Sequence, residues 1–183
     1  LFFIFVILFL ICTLFRIPFF KLVAYVREPA LLAFSTASSE VAFPKLMERL
    51  EKFGCSERIT SFVLPLGYSF NLDGSIMYMT FATIFIAQLY GINLSFQQEI
   101  VMMLTFMITS KGMAGVPRAS LIVIAGMLAS FNIPVEGLAL ILGVDQILDM
   151  GRSGTNVMGN AVATAVISRL EGELNVTKKE AEE

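Results

Sequence analysis

Long uncharged stretches, each broken by one or two polar groups, constrain this chain more than any other feature. No charged residue occurs between Ile59 and Leu72, nor from Gly74 to Gln98, so Asp73 alone interrupts that apolar span. Further uncharged blocks cover 100–110 and 119–135, and another opens at Gly137. A bilayer core about 30 Å thick needs roughly 20 apolar residues to be crossed by a helix. Composition agrees with that setting: 56% of residues are apolar and 15% are charged, against roughly 25% charged in soluble proteins. A net charge of −2 gives no electrostatic footprint for nucleic acid. With no histidine in the chain, imidazole zinc sites, Ser-His triads and imidazole general bases are excluded. Cys12 and Cys55 lack metal-ligand spacing and read as structural thiols.

The opening run "LFFIFVILFLICTLF" is uncharged until Arg16 and starts at Leu. It has neither the basic flank nor the small-residue cleavage site of a signal peptide. The expectation is the end of a transmembrane helix over 1–16, entered part-way through a longer protein. Two later segments share an unusual plan. "KLVAYVREPALLAFSTASSEVAFPKLMERLEKFG" has two apolar arms around the polar tip "STASSE"; "EIVMMLTFMITSKGMAGVPRASLIVIAGMLASFNIP" repeats it around "SKGMAGVP". Arms of roughly 10 to 18 residues are short for a crossing, and suit a re-entrant hairpin that enters and leaves on one side. Such tips, and the helix-breaking "NLDG" at 71–74, cannot face lipid, where unpaired backbone groups cost several kcal/mol each.

The expected fold is therefore an all-α integral membrane protein with an inverted repeat. Each copy is a re-entrant helical hairpin followed by a broken or polar-striped transmembrane helix. The boundaries read as 17–54 for the first hairpin, 57–91 for the broken helix, 96–132 for the second hairpin, 136–172 for the striped helix and 173–183 for a tail. Lys45, Arg49, Lys52 and Arg58 follow the first tip, and Arg169, Lys178 and Lys179 lie at the C-terminal end, whereas the turns at "GINLSF" and "NIPVE" carry no basic residue. The positive-inside rule then puts the first hairpin's opening and the C-terminus in the cytoplasm, with the second hairpin opening outside. Secondary transporters with inverted repeats bind substrate near the midplane of such an arrangement.

Residues 145, 149, 152, 156 and 160 advance by 4, 3, 4 and 4, so at roughly 100° per residue they fall within about 80° on a helix. Asp145, Asp149, Arg152, Asn156 and Asn160 thus share one face, with Ser153 at its margin. Asp149 and Arg152 form an i, i+3 pair that would be unremarked on a soluble helix. At mid-depth in a bilayer an arginine costs about 2.5–3.5 kcal/mol or more, which argues for a bound ligand. The Arg152 fork suits a carboxylate, Asp149 suits an ammonium, and Asn156 both donates and accepts. A zwitterion with an additional carboxylate, an acidic amino acid, meets all three. Two other classes fit less well. An intramembrane aspartyl enzyme would need Asp73 and Asp149 as a dyad, but Arg152 holds Asp149 in the wrong ionisation state for it. A channel lined by carboxylates leaves the mixed signs at 149 and 152 unexplained. Lys111 and Arg118, beside the second tip, read as solvated loop charges; Pro44, Pro65 and Pro117 read as helix starts or kinks.

Four ordered motifs, "STASSE", "NLDG", "SKGMAGVP" and "DMGRSGTNVMGN", make the chain resemble the C-terminal half of the glutamate/aspartate and dicarboxylate symporter family, nearest to bacterial proton/sodium-glutamate symporters. The resemblance implies import of L-glutamate or L-aspartate with protons or sodium by elevator-type movement, with C4-dicarboxylate symport as the alternative. It implies no enzyme activity and no cofactor beyond the coupling ion. It assigns the substrate side-chain carboxylate to Arg152 and the amino group to Asp149. Asn156, Ser153, Ser75, Ser38 and Ser39, and main-chain groups of Ala114, Gly115 and Val116, complete that site, with the second hairpin as the extracellular gate. Asn71, Asp73, Gly67, Ser69, Ser110, Lys111, Met113, Asn156 and Asn160 match sodium-site positions. Sodium-driven relatives carry aspartate where this chain has Asn160, and proton-coupled relatives tolerate an amide. Glu40 and Asp149 are the expected proton carriers, since burial favours a neutral carboxyl. Membrane lipid is an expected partner, and a homotrimer is expected for the full-length protein through its N-terminal half, in a bacterial plasma membrane.

Overall fold

A computed structural model describes residues 1–112 and 118–176. The described residues are overwhelmingly helical. A π-helical turn, Phe3–Leu8, runs into α1 (Phe9–Leu14), followed by α2 (Phe19–Thr36), α3 (Phe43–Phe53), α4 (Glu57–Phe70), α5 (Asp73–Leu89), α6 (Phe96–Thr109), α7 (Ala119–Ser130) and α8 (Leu138–Leu170). One isolated antiparallel bridge, Cys55 with Leu174, adds to these.

The helix ends follow local chemistry. Ser95 and Gln98 form a reciprocal capping box at the start of α6, and the Ser56 hydroxyl accepts the Ile59 N–H at 3.3 Å to start α4. Helix α2 ends in a Schellman turn: Ala37 takes φ +50, and the Ser38 N–H reaches back to the Ala33 carbonyl at 3.1 Å. The polar tip of the first apolar pair thereby becomes a break between α2 and α3, and a short 3₁₀ turn, Glu40–Ala42, leads into α3. Pro44 stands at the start of α3, where its missing N–H costs nothing, while Pro65 lies inside α4.

Helix α8 is the spine, packed against α2, α4 and α5. Its C-terminal half enters one apolar core, where Val157, Ala161 and Ala165 meet Leu22, Val26, Leu46 and Leu50. Its N-terminal part enters a second core, where Ile141 joins Met79, Ile86, Phe106 and Ile124 from α5, α6 and α7. Asp145, Asp149, Arg152, Ser153 and Asn156 lie between the two cores in sequence, and Asn160 follows on the same face.

Helix α3 shows how the end of the molecule near the α3–α4 turn is built. Leu46, Leu50 and Phe53 are buried at helical spacing, while the opposite face pairs Glu48 with Lys45 at 3.2 Å and with Lys52 at 2.9 Å. Glu28 of α2 pairs with Arg49. Gly54 closes α3 at φ +120, and a Cβ there would meet the Asn175 backbone at 2.6 Å. The chain after α8 therefore lies directly on this turn. The Asn175 N–H donates to the Gly54 carbonyl at 2.9 Å, and Glu173 accepts from Ser56 and Arg58.

Among the described residues one stretch, Glu57–Leu89, which comprises α4, the break and α5, is long and apolar enough to cross a membrane by length and composition. Phe62, Phe81, Phe96, Ile108 and Ile122 are each more than two-thirds exposed.

Candidate functional site

The site grows from the break between α4 and α5. Asn71 and Leu72 leave helical geometry, and α5 restarts at Asp73 without a side-chain cap of its own. Its first N–H groups are satisfied from α8: the Asn156 Oδ1 accepts from Gly74 N–H at 2.8 Å and from Ser75 N–H at 3.3 Å. Asn156 is thus a cap supplied in trans, which lets a helix begin inside a buried region without orphaned donors. Its Nδ2 donates to Ser75 Oγ at 2.9 Å. Such proximity needs Gly74, because a Cβ there would stand 2.4 Å from the Arg152 carbonyl oxygen.

Around that junction Asp145, Asp149, Arg152, Ser153, Asn156 and Asn160 are all buried. Arg152 Nε donates to Asp149 Oδ1, and its Nη1 to Ser75 Oγ at 3.0 Å. Asp149 Oδ2 accepts the backbone N–H of Arg118 at 2.9 Å. Tyr78 donates its hydroxyl proton to Asp145 Oδ1. Arg118 Nε lies 3.7 Å from Asp145 Oδ2. A guanidinium and two carboxylates are therefore gathered out of water, with Ser75 and Asn156 fixing their orientation.

A second cluster lies one turn further along α8. Asn160 Oδ1 is 3.2 Å from Asn71 Nδ2; with the Asn71 amide turned the other way, its nitrogen meets the Asp73 carboxylate at 3.0 and 3.2 Å. Two glycines create the room. A Cβ on Gly67 would meet Asn160 Oδ1 at 2.3 Å, and one on Gly159 would meet Asp73 Oδ2 at 2.4 Å. The Asn160 Nδ2 is buried without a hydrogen-bond partner. Carboxylate and amide oxygens packed at a helix break form a hard-oxygen environment, the donor type that small cations select.

The sequence-derived residues divide on inspection. Arg152, Asp149, Ser75 and Asn156 converge, as do Asn71, Asp73, Gly67 and Asn160. Ser153 is buried, but its hydroxyl donates to the Asp149 carbonyl of its own helix at 3.0 Å. Ser38 and Ser39 are buried at the α2–α3 break. Ser69 is exposed and bonds the Pro65 carbonyl at 3.3 Å. Ser110 is buried, and Lys111 places its ammonium 4.6 Å over the Phe70 ring, tying the end of α6 to the end of α4. Met113, Ala114, Gly115, Val116 and Pro117 lie outside the described residues. Glu40 is exposed, without the burial from which a proton-carrying role was argued, whereas Asp149 is fully buried. Arg118, expected as a solvated loop charge, is exposed, yet its backbone N–H reaches Asp149 and its Nε lies 3.7 Å from Asp145 Oδ2. Tyr78 was also missed; its hydroxyl stands one turn beyond Ser75, but Thr80 and Thr83 share the same apolar run and the spacing does not single it out.

Comparison with known proteins places the chain by its sequence. The sequence profile of the sodium:dicarboxylate symporter family matches residues 1–170. The chain belongs to that family. It is 52% identical over 178 residues to the proton/sodium-glutamate symport protein of Bacillus caldotenax, covering 97% of this chain and 42% of the relative. It is also 52% identical over 171 residues to the proton/glutamate-aspartate symporter of Escherichia coli K12, covering 93% and 39%. A C4-dicarboxylate transport protein of Paracoccus denitrificans is 48% identical over 174 residues, covering 94% and 38%. The chain thus spans about two-fifths of the length of the curated relatives it matches.

Proposed function

We propose that this chain is the substrate-carrying part of a symporter that imports L-glutamate or L-aspartate with protons, sodium or both. The observation that carries the reading is the buried Asp149–Arg152 pair, steadied by Ser75 and Asn156. A purely structural ion pair in such a place is replaceable by apolar residues at little loss. A pair that must receive an ammonium on Asp149 and a carboxylate on Arg152 is not. The identity to glutamate and glutamate-aspartate symporters supports the same cargo.

In this reading α2–α3 and α6–α7 are re-entrant hairpins of an inverted repeat. The α6–α7 hairpin gates the extracellular side, and the exposed aromatic faces meet lipid or the remainder of the protein. The cluster of Asp73, Asn71, Asn160 and the Gly67 backbone receives the coupling cation as cargo. The full-length protein works as a homotrimer in a bacterial plasma membrane, with the C-terminus cytoplasmic, and moves this part as an elevator.

A C4-dicarboxylate is the second reading, favoured by the 48% identity to a C4-dicarboxylate transport protein. Asp149 separates the two, because a dianion without an ammonium would meet an unneutralised carboxylate there. Calorimetric binding of L-aspartate, L-glutamate and succinate to the full-length protein, with and without sodium, decides it. Binding of the amino acids at least tenfold tighter than succinate is expected; the reverse order overturns the amino-acid assignment.

A further inference from the structure

Arg118 is the residue whose placement the symport reading does not use. It opens α7 in the left-handed region, at φ +65, a conformation that a residue with a side chain adopts only when its surroundings hold it there. Those surroundings are on α8. The Arg118 N–H donates to Asp149 Oδ2 at 2.9 Å, and its Nε stands 3.7 Å from Asp145 Oδ2. Asp145 is fully buried, and its other oxygen already receives the Tyr78 hydroxyl. Among described elements α7 packs chiefly on α5, and it shares an apolar core with Ile141 near the start of α8; the Arg118 contacts lie further along α8, at Asp145 and Asp149. The Arg118 carbonyl in turn accepts the Leu121 N–H at 3.1 Å, coupling the residue to the first turn of α7.

We propose that Arg118 is a latch that seats α7 on α8 by a two-point clasp, its amide on Asp149 and its guanidinium on Asp145. The clasp makes closure of this arm electrostatic, and it places a hydrogen-bond donor on one oxygen of the carboxylate that faces Arg152. An ammonium arriving at Asp149 then competes with the Arg118 amide for Oδ2, so occupancy and seating of the arm are linked through one atom. Tyr78 holds Asp145 in register for the guanidinium, which makes it a positioning residue for the latch.

Only the competition with an ammonium rests on the symporter function proposed above. The latch is tested without substrate, by hydrogen-exchange mass spectrometry of the full-length protein in lipid nanodiscs. Arg118→Gly keeps the N–H and tolerates the positive φ while deleting the guanidinium. Its amides over 119–130 should exchange about fivefold faster, the upper range for a partly exposed ion pair. Arg118→Lys, which keeps the charge, should stay within about twofold of the unmodified protein. Asp145→Asn should reproduce Arg118→Gly, and the double variant should go no further, as expected for two residues of one interaction. Unchanged exchange in Arg118→Gly, or full additivity in the double variant, overturns the latch. Neither result touches the substrate assignment, which stands or falls on the binding comparison of aspartate with succinate.

Discussion

Substitution of Arg152 probes the site at its most concentrated point, since its guanidinium meets both Asp149 and Ser75. Removing one member of a buried, hydrogen-bonded charge pair costs about 2–5 kcal/mol. Arg152→Ala should therefore weaken binding of L-aspartate or L-glutamate by about 30-fold or more in calorimetric titration. Undiminished affinity would remove the carboxylate role. Asn156 makes a different prediction, because its oxygen caps α5. Asn156→Ala should lower stability by about 1 kcal/mol, read as a fall of about 2–4 °C in thermal unfolding, while Asn156→Asp keeps the acceptor and most of that stability. The polar face of α8 was legible because helical period alone aligns 145, 149, 152, 156 and 160. The capping duty of Asn156 and the aspartate contacts of Arg118 were not. Both arise between residues tens of positions apart, and no local period encodes them.

At the scale of elements, the α4–α5 break and its seat on α8 are the most sharply built feature. Gly74→Ala would press a methyl group against the Arg152 carbonyl, and overpacking of this kind costs about 1–3 kcal/mol. Gly126→Ala, where a Cβ meets nothing within 4 Å, is the matched control. Thermal unfolding of the two variants should differ by several degrees, and equal midpoints would contradict the close approach. The break itself was readable, since Asn, Asp and Gly cluster between two uncharged runs. The apolar arms read on either side of each polar tip correspond to the helices α2, α3, α6 and α7. What the arms touch was hidden: Lys111 resting over Phe70 depends on where the neighbouring helix lies. The all-helical architecture followed from composition and run length, whereas the partition of α8 between two cores required the third dimension.

At the scale of the whole molecule, the chain covers about two-fifths of its curated relatives. A carrier also needs a frame to move against, so liposomes containing only these residues should show no glutamate uptake above a protein-free control. Appreciable uptake would contradict the proposed division of labour. The strap after α8 gives a prediction in pH. Hydrogen bonds from Ser56 and then Arg58 hold the Glu173 carboxyl below the usual glutamate range. A carboxyl whose folded value is depressed adds stability that is complete above its unfolded value, about 4.3 for glutamate, and is lost as pH falls through the folded value. Exchange at the Asn175 amide, corrected for its intrinsic rate, should stay slow at pH 6 and quicken on acidification below about 4. An acid-insensitive amide would show that Glu173 does not hold the strap. The same strap joins the foot of α8 to the turn between α3 and α4, through the Cys55–Leu174 bridge and the Gly54 carbonyl. A spine riveted at its base cannot slide like a plunger along its own axis. Any displacement of the foot of α8 must then carry the turn between α3 and α4 with it.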